Sequence, residues 1–110
     1  MADKRVAIVT GGTRGMGRSI STDLAKQGVI VQAVYRSNEK AALETKKEID
    51  ALSPGSDIIK ADLGDPKTVK NAVESIAQKL GRIDILVNNA GIFDFSFIED
   101  MTEEYFDNVF

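Results

Sequence analysis

Residues 6–17 read VAIVTGGTRGMG, a short β-branched apolar run followed directly by a glycine-rich segment. The run is typical of a buried strand, because β-branched side chains fit a pleated surface that is covered on both faces. Glycine lets the chain turn sharply after it, since it has no Cβ to clash. Met16, Ile20 and Leu24 then fall on one helical face, and Gly28 is a typical helix end. The stretch therefore predicts a strand, a tight turn and a helix.

Three further β-branched runs alternate with amphipathic segments along the rest of the sequence. The runs span residues 29–34, 58–59 and 83–87. The apolar faces comprise Ala42, Ile49 and Leu52 in the second predicted helix and Val69, Ala72, Val73, Ile76, Ala77 and Leu80 in the third. Asp65 is expected to cap the third helix, Pro66 to occupy its first position and Gly81 to end it. A fourth helix is predicted from about Thr102, and the sequence ends within it.

The resulting order, β-α-β-α-β-α-β-α, predicts an α/β fold with three layers. Right-handed crossovers between parallel strands place helices on both faces of one parallel sheet. The predicted strand order is 3-2-1-4, as in a truncated doubly wound, Rossmann-like fold. Ligands of such folds bind at the carboxyl ends of the strands, here in the crevice between the first and fourth strands.

Composition argues against several classes of function. The net charge is -3, whereas proteins that bind nucleic acid present strongly basic faces. No apolar run approaches the ~20 residues that cross a bilayer, and no apolar signal segment is present, so we expect a cytoplasmic protein without nucleic-acid or membrane partners. The sequence has no cysteine and no histidine. Thiolate chemistry, sulfur-ligated metal and the commonest general base are therefore excluded, and we expect no metal site.

The glycine-rich turn has the properties of a phosphate-binding loop. Backbone N–H groups at the start of a helix attract anions, and glycine lets a pyrophosphate approach the chain closely. The spacing is G-x-x-x-G-x-G, not the commonest fingerprint G-x-G-x-x-G. Its place between the first strand and a helix favours a dinucleotide site over a plain strand-to-helix turn. We therefore expect a dinucleotide to bind at this turn.

The residues after the second strand favour NADP(H) over NAD(H). An NAD site usually has an acid about 20 residues beyond the glycine turn, where it binds the ribose 2′-hydroxyl. Here Arg36, Ser37 and Asn38 follow the strand, and the first acid is Glu39. The guanidinium groups of Arg36 and Arg14 suit a 2′-phosphate, and Ser37 and Asn38 can add donors. The alternative is that both arginines are solvated residues at the rim.

Three motifs resemble those of the short-chain dehydrogenase/reductase family. They are Thr10-Gly11-x-x-x-Gly15-x-Gly17, Asp62-Leu63 after the third strand, and Asn88-Asn89-Ala90-Gly91 after the fourth. The sequence is similar to the N-terminal half of classical members such as 3-oxoacyl-carrier-protein reductases. The resemblance implies that residues 1–110 form the dinucleotide-binding half of a Rossmann-fold oxidoreductase. Such an enzyme would use NADP(H) and transfer hydride between nicotinamide and a carbonyl or alcohol substrate.

The resemblance also implies which residues meet the cofactor. They are Gly11, Thr13, Arg14, Gly15, Met16, Gly17, Arg36, Ser37, Asp62, Leu63, Asn89, Ala90 and Gly91. The glycines would line the pyrophosphate, Asp62 would bind the adenine amino group with Leu63 beside the ring, and Ala90 and Gly91 would approach the nicotinamide ribose. Asn88 would brace the sheet. Asp62 could instead be a solvated loop carboxylate, and residues 88–91 a polar turn.

Family reductases also need catalytic residues that residues 1–110 lack. By resemblance these are a tyrosine acid, a lysine four residues later that lowers its pKa, and a serine, often with an asparagine. Tyr35 is followed four positions on by Glu39, and Tyr105 by Val109. We therefore predict no catalytic residue, and we expect the chain alone to be inactive.

Three interpretations stay open at this point. The first is a module that binds the cofactor without turnover. The second is a non-catalytic, regulatory or self-associating protein, which could form a homodimer through its exposed fourth strand because unpaired edges invite symmetric pairing. The third is a fragment of an ordinary enzyme, by design, proteolysis or an early stop. An apolar segment after the fourth strand would wall the active site, cover the core or form an interface; its residues are Phe93, Phe95, Phe97 and Ile98.

Overall fold

A computed structural model describes residues 4–62 and 64–88 of the chain. The elements are β1 (Val6–Thr10), α1 (Gly15–Lys26), β2 (Ile30–Tyr35), α2 (Glu39–Leu52), β3 (Asp57–Lys60), α3 (Pro66–Leu80) and β4 (Ile85–Asn88). Strands and helices alternate as predicted over this part of the chain. The predicted fourth helix and the apolar segment at 93–98 lie outside the described residues.

The four strands form one parallel sheet in the order β3-β2-β1-β4, which confirms the predicted topology. Thr10 at the end of β1 lies opposite Val34 of β2 and Asn88 of β4. Tyr35 at the end of β2 lies opposite Lys60 at the end of β3. The carboxyl ends of all four strands therefore meet at one edge of the sheet. The chain first adds β2 and β3 on one side of β1 and later adds β4 on its other side.

The central strands are buried on both faces, because their side chains alternate between two apolar cores. Val6 and Ile8 of β1 contribute to a core that α3 completes. Ala7 and Val9 contribute to the opposite core, which α1 and α2 complete. This double burial is the physical reason why β1 reads as a continuous apolar run in the sequence.

Helix α1 packs on the sheet through small residues, and Met16 does not share a packed face with Ile20 and Leu24, as the sequence pattern had indicated. The buried residues of α1 are Gly17, Ser21 and Ala25. Ile20 and Leu24 pack against the edge of the same core, whereas Met16 is 74% exposed. Residues four apart lie along one helix face, and small side chains in that row let the helix approach the sheet closely. The helix is therefore rotated by about one residue from the predicted orientation.

The second and third helices match their predicted faces more closely. Ala42 and Ile49 of α2 are fully buried, but Leu52 is 41% exposed because it lies in the last turn, at the end of the helix. In α3, Asp65 accepts a hydrogen bond from the Lys67 N–H at 3.1 Å, and Gly81 ends the helix in the left-handed conformation. The predicted cap and helix end of α3 are thereby confirmed.

Candidate functional site

The turn between β1 and α1 needs glycine for two different reasons. Gly11 and Gly15 have φ angles of 64° and 51°, in the left-handed region that disfavours other residues. Gly12 has no such angle, but a Cβ at this position would lie 2.8 Å from the Val9 carbonyl oxygen and 2.9 Å from the Ala33 Cβ. The glycine-rich sequence thus specifies both the path of the turn and its close packing on β1 and β2.

The N-terminus of α1 is open to a ligand. Its N-cap residue, Arg14, makes no side-chain capping hydrogen bond, and its first turn has no acidic residue. In contrast, Asn38 accepts from the Ala41 N–H at 3.0 Å at the start of α2, and Asp65 caps α3. The first N–H groups of a helix have no acceptor within the helix and carry the positive end of its dipole. Among the three helices that the structure describes, α1 is the one that lacks a side-chain cap.

The predicted turn residues divide into an exposed and a buried set. Arg14, Gly15 and Met16 are exposed at the start of α1, and Gly11 is half-buried. Thr13 and Gly17 are buried, with Thr13 only 2% exposed. A ligand at this edge would therefore meet residues 14–16 directly, whereas Thr13 is covered by the fold. Gly17 belongs to the small-residue face that packs α1 on the sheet.

Arg36 and Ser37 follow β2 and are both exposed at the same edge of the sheet. Asn38, predicted as another donor, caps α2 with its side-chain oxygen, which is an acceptor, so the cap does not use the amide NH₂ group that would donate to a ligand. The first acid of this segment, Glu39, forms an ion pair of 3.3 Å with Lys60 at the end of β3. That pair offsets the carboxylate charge next to Arg36.

Asp62 lies in a tight turn after β3, at the same edge. It is exposed, and its Oδ1 accepts a hydrogen bond from the Gly64 N–H at 2.9 Å. The preceding Ala61 is buried and donates its N–H to the Tyr35 carbonyl at 2.9 Å, which fixes the path of the chain into the turn. The carboxylate is thus held in one place, although a loop carboxylate without a ligand makes the same contact. Leu63 lies outside the described residues.

Hydrogen bonds between two pairs of residues fix β1 to β4, one pair at each end of the paired strands. At the carboxyl end, the Thr10 hydroxyl donates to the Val87 carbonyl at 3.2 Å. At the amino end, the Val6 N–H donates to Asp84 Oδ2 at 2.8 Å, and the Asp84 N–H donates to the Val6 carbonyl at 2.9 Å. The switch point is therefore held by side chains as well as by the strand pairing. The predicted site residues Asn89, Ala90 and Gly91 lie outside the described residues.

Asp84 also carries the charge at the amino end of this strand pair. Burial would raise the pKa of Asp84, but the Arg82 guanidinium and the Val6 N–H together lower it below its ordinary value. The Arg82 Nη2 atom lies 2.6 Å from Asp84 Oδ1. The carboxylate is therefore ionised at neutral pH and acts as a structural clamp.

Arg18 follows the glycine turn closely but is held away from it by α2. Its guanidinium pairs with Glu48 at 3.2 Å and with Glu44 at 3.8 Å. The Thr22 hydroxyl lowers the pKa of Glu48 most, burial opposes it, and Arg18 lowers it further. Arg18, Thr22 and Glu48 line a shallow groove of about 290 Å³ on the outer surface of α1, and Gly15 of the predicted site lines it as well. Arg18 therefore connects α1 to α2.

Two residues near the site were not predicted from the sequence. The Ser21 hydroxyl donates to the Gly12 carbonyl at 2.9 Å, and the Thr45 hydroxyl donates to the Thr13 carbonyl at 3.2 Å. Both lie on helix faces that are otherwise apolar or small. The hydroxyls at these buried helical positions were the only available signal, and they do not say which carbonyl is the partner.

Neither a membrane span nor a metal cluster is found in the described part of the chain. No helix there is long and apolar enough to cross a bilayer. Residues 4–62 and 64–88 also contain no group of three or more acidic side chains that could hold a metal ion.

The sheet order and the glycine turn at the start of α1 define a Rossmann-type α/β fold. The family model for short chain dehydrogenases matches residues 5–110, and the chain belongs to the short-chain dehydrogenase/reductase family. The resemblance seen in the sequence is thereby confirmed.

Curated relatives are oxidoreductases and a stress protein of greater length. A versicolorin reductase of Emericella nidulans is 36% identical over 108 residues, which cover 98% of this chain and 41% of that protein. General stress protein 39 of Bacillus subtilis is 41% identical over 93 residues, covering 82% of this chain and 32% of that protein. The chain spans about two fifths of the length of the curated relatives it matches.

Solved structures with the same fold include other members of the family. The crystal structure of a blue fluorescent protein from a metagenomic library, in complex with NADPH, matches with a TM-score of 0.74 and 41% identity. The match covers 82% of this chain and 37% of that chain. Acetoin dehydrogenase from Salmonella typhimurium matches with a TM-score of 0.70 and 35% identity, over 77% of this chain and 35% of that chain.

Proposed function

We propose that residues 1–110 are the NADP(H)-binding half of a short-chain oxidoreductase. The observation that carries the proposal is the uncapped N-terminus of α1, preceded by a turn in which Gly11 and Gly15 adopt left-handed φ angles. Backbone N–H groups in such a turn stabilise the charge of a pyrophosphate. Family membership supports a nicotinamide dinucleotide as the ligand that brings the pyrophosphate.

The described residues fit such a cofactor in position and charge. Residues 14–16, which are exposed, would meet the pyrophosphate, and Asp62 would contact the adenine together with Leu63, which lies outside the described residues. Asn89, Ala90 and Gly91 would contact the nicotinamide ribose. The nicotinamide itself supplies or accepts the hydride when the cofactor is bound. The residues of this chain would bind and orient it.

The preference for NADP(H) over NAD(H) rests on charge at the end of β2. Arg14 and Arg36 are exposed, and neither forms an ion pair with a carboxylate among the described residues. Glu39, which would repel a 2′-phosphate, is paired with Lys60. A dianionic phosphate therefore finds two available guanidinium groups, which bind phosphate through parallel hydrogen bonds. The NADPH complex of a related structure is consistent with this preference.

The reaction class follows from the family, and the catalytic step is proposed to lie elsewhere. We propose hydride transfer between nicotinamide and a carbonyl or alcohol substrate. Residues 1–110 contain no tyrosine followed four positions later by a lysine. We therefore expect this chain alone to bind the cofactor without turning over a substrate.

A fluorescence titration with NADPH and NADH, beside a carbonyl-reduction assay, tests the proposal. The expected result is saturable binding, tighter for NADPH, without turnover. Arg36→Gln should weaken NADPH about 10- to 100-fold, the range expected for a charge-assisted hydrogen bond, and should leave NADH nearly unchanged. Lys70→Gln is the matched control, because Lys70 is an exposed cation on α3. Equal affinity of the wild type for both nucleotides would contradict the NADP(H) preference, and turnover would contradict the missing catalytic step.

A second candidate function, self-association, is favoured by the position of β4. Within residues 4–62 and 64–88, β4 is an edge strand of the sheet and is only half-buried. A homodimer joined along two β4 strands would pair these edges symmetrically. Light scattering decides the point: a monodisperse monomer in the presence of NADPH would exclude this function and leave the first unaffected.

A further inference from the structure

Two buried hydroxyl groups hold consecutive carbonyls of the glycine turn. The Ser21 hydroxyl, on α1, donates to the Gly12 carbonyl at 2.9 Å. The Thr45 hydroxyl, on α2, donates to the Thr13 carbonyl at 3.2 Å. Both Ser21 and Thr45 are fully buried. The buried side of the turn is therefore held by side chains of two different helices.

The peptide group before these two is also fixed. The Gly12 N–H donates to the Val34 carbonyl of β2 at 3.3 Å. Three successive peptide groups of the turn, those that join residues 11–14, are thus each held by one hydrogen bond. One bond comes from the sheet, one from α1 and one from α2.

The two carbonyl contacts also determine where two N–H groups point, because each carbonyl shares one rigid peptide with the N–H of the next residue. The C=O and N–H of one trans peptide lie in a plane and point in opposite directions. With the Gly12 carbonyl directed at Ser21, the Thr13 N–H points away from that buried hydroxyl. With the Thr13 carbonyl directed at Thr45, the Arg14 N–H points away from the second one. Both N–H groups therefore point away from the hydroxyls that hold their peptides, and they lie next to the uncapped start of α1, where Arg14 is exposed and Thr13 is covered.

We infer that Ser21 and Thr45 are positioning residues, which orient the Thr13 and Arg14 N–H groups toward the pyrophosphate of a bound dinucleotide. The inference rests on the proposed function. Preorganised N–H groups bind an anion more tightly because they need not be reoriented when it arrives. The Thr45 hydroxyl has one hydrogen and also donates to the Ala41 carbonyl at 2.8 Å, so the two carbonyls share this donor. That carbonyl is a regular acceptor within α2, so the Thr13 carbonyl is the partner that depends on the hydroxyl.

The test compares two ligands on matched variants. NADPH carries the pyrophosphate, whereas adenosine 2′-monophosphate carries the adenine, the ribose and the 2′-phosphate without it. Thr45→Val and Ser21→Ala should each weaken NADPH about fivefold, the effect of one ordinary hydrogen bond. The affinity for adenosine 2′-monophosphate should stay within about twofold of the wild type, because the inference assigns these N–H groups to the pyrophosphate, which this ligand lacks.

Two further variants separate positioning from loss of structure. Thr45→Ser keeps the hydroxyl and should restore NADPH binding. Thr22→Val removes a hydroxyl that makes the same contact to a carbonyl one helical turn earlier, that of Arg18 at 2.8 Å, without touching the glycine turn. It should bind NADPH like the wild type. Thermal unfolding of every variant, measured beside the titrations, reports the integrity of the fold.

The outcomes distinguish this inference from the proposed function. NADPH binding by the wild type that is unchanged in Thr45→Val and Ser21→Ala would overturn the positioning role and leave the proposed function standing. An equal loss of affinity for both ligands would also overturn it, because the effect would then be general. A wild type that fails to bind NADPH at all would overturn both.

Discussion

Gly12→Ala is the substitution for which the structure gives the most specific expectation. An added Cβ would lie 2.8 Å from the Ser21 Oγ, 2.8 Å from the Val9 carbonyl oxygen and 2.9 Å from the Ala33 Cβ. The Ser21 hydroxyl can rotate away, but the other two atoms belong to the backbone of β1 and to the first carbon of a β2 side chain. Relief therefore requires the turn to move away from the sheet.

The size of the effect follows from these rigid contacts. Overpacking of a close-packed core costs about 1–3 kcal/mol, and contacts that cannot rotate away favour the upper half of that range. For a domain of this size each kcal/mol lowers the melting temperature by about 4–8 °C. We therefore expect Gly12→Ala to lower the melting temperature by about 10–20 °C. NADPH binding should weaken as well, because the displaced turn carries the N–H groups of the site.

Differential scanning calorimetry with one matched control checks this expectation. At Gly64 an added Cβ would meet its nearest neighbour, Asp62 Oδ1, at 3.4 Å, which is an ordinary contact. Gly64→Ala should accordingly change the melting temperature by no more than a few degrees. If Gly12→Ala unfolds at the same temperature as Gly64→Ala, the close packing of the turn on the sheet is not as described.

Three other substitutions test single features by urea denaturation. Asp65→Ala removes the oxygen that accepts the Lys67 N–H at 3.1 Å, and should lower the free energy of unfolding by about 1 kcal/mol; no change would mean that the cap is not formed. Gly81→Ala places an L side chain at a φ of 79° in otherwise open space, so about 1–2 kcal/mol should be lost through backbone strain alone; a neutral effect would contradict this. Asp84→Asn should destabilise the protein at neutral pH. Because the pKa of Asp84 is lowered in the folded state, the unfolded state binds more protons, and the contribution of Asp84 is lost as the pH falls from about 4, the unfolded value, through the lower folded pKa. The difference between wild type and variant should therefore shrink on acidification, and a constant difference would refute the assignment.

The topology could be predicted from the sequence because both of its determinants are local. Runs such as residues 6–9 are apolar throughout, and this marks strands that are buried on both faces. Asp65, Pro66 and Gly81 mark the ends of α3 through hydrogen bonds and a φ angle that depend on one residue each. Alternation of strands and helices then leaves few right-handed arrangements.

The rotation of α1 and the hydroxyl contacts of the turn could not be predicted in the same way. Hydrophobicity gives Met16 to the core, but close approach of α1 to the sheet favours small residues, and this selects Gly17 and Ser21 instead. The partner of the Thr45 hydroxyl is a carbonyl 32 residues earlier in the chain. Only the packed position of α2 against α1 brings the two together, and no local pattern encodes that position.

The charged groups at the carboxyl edge of the sheet explain why an anionic ligand is expected there, and Asp57 at the amino edge gives a comparison. At the amino edge Asp57 lies 3.2 Å from Lys46 and 3.7 Å from Lys79. Burial would raise the pKa of Asp57, but the Ile58 N–H and the two lysines lower it, so the charge is satisfied within the protein. At the carboxyl edge Arg14 and Arg36 are exposed and have no ion-pair partner among the described carboxylates. An anion therefore gains charge pairing at the carboxyl edge without breaking a bond that the fold needs, and the helix dipole of α1 adds to the same attraction.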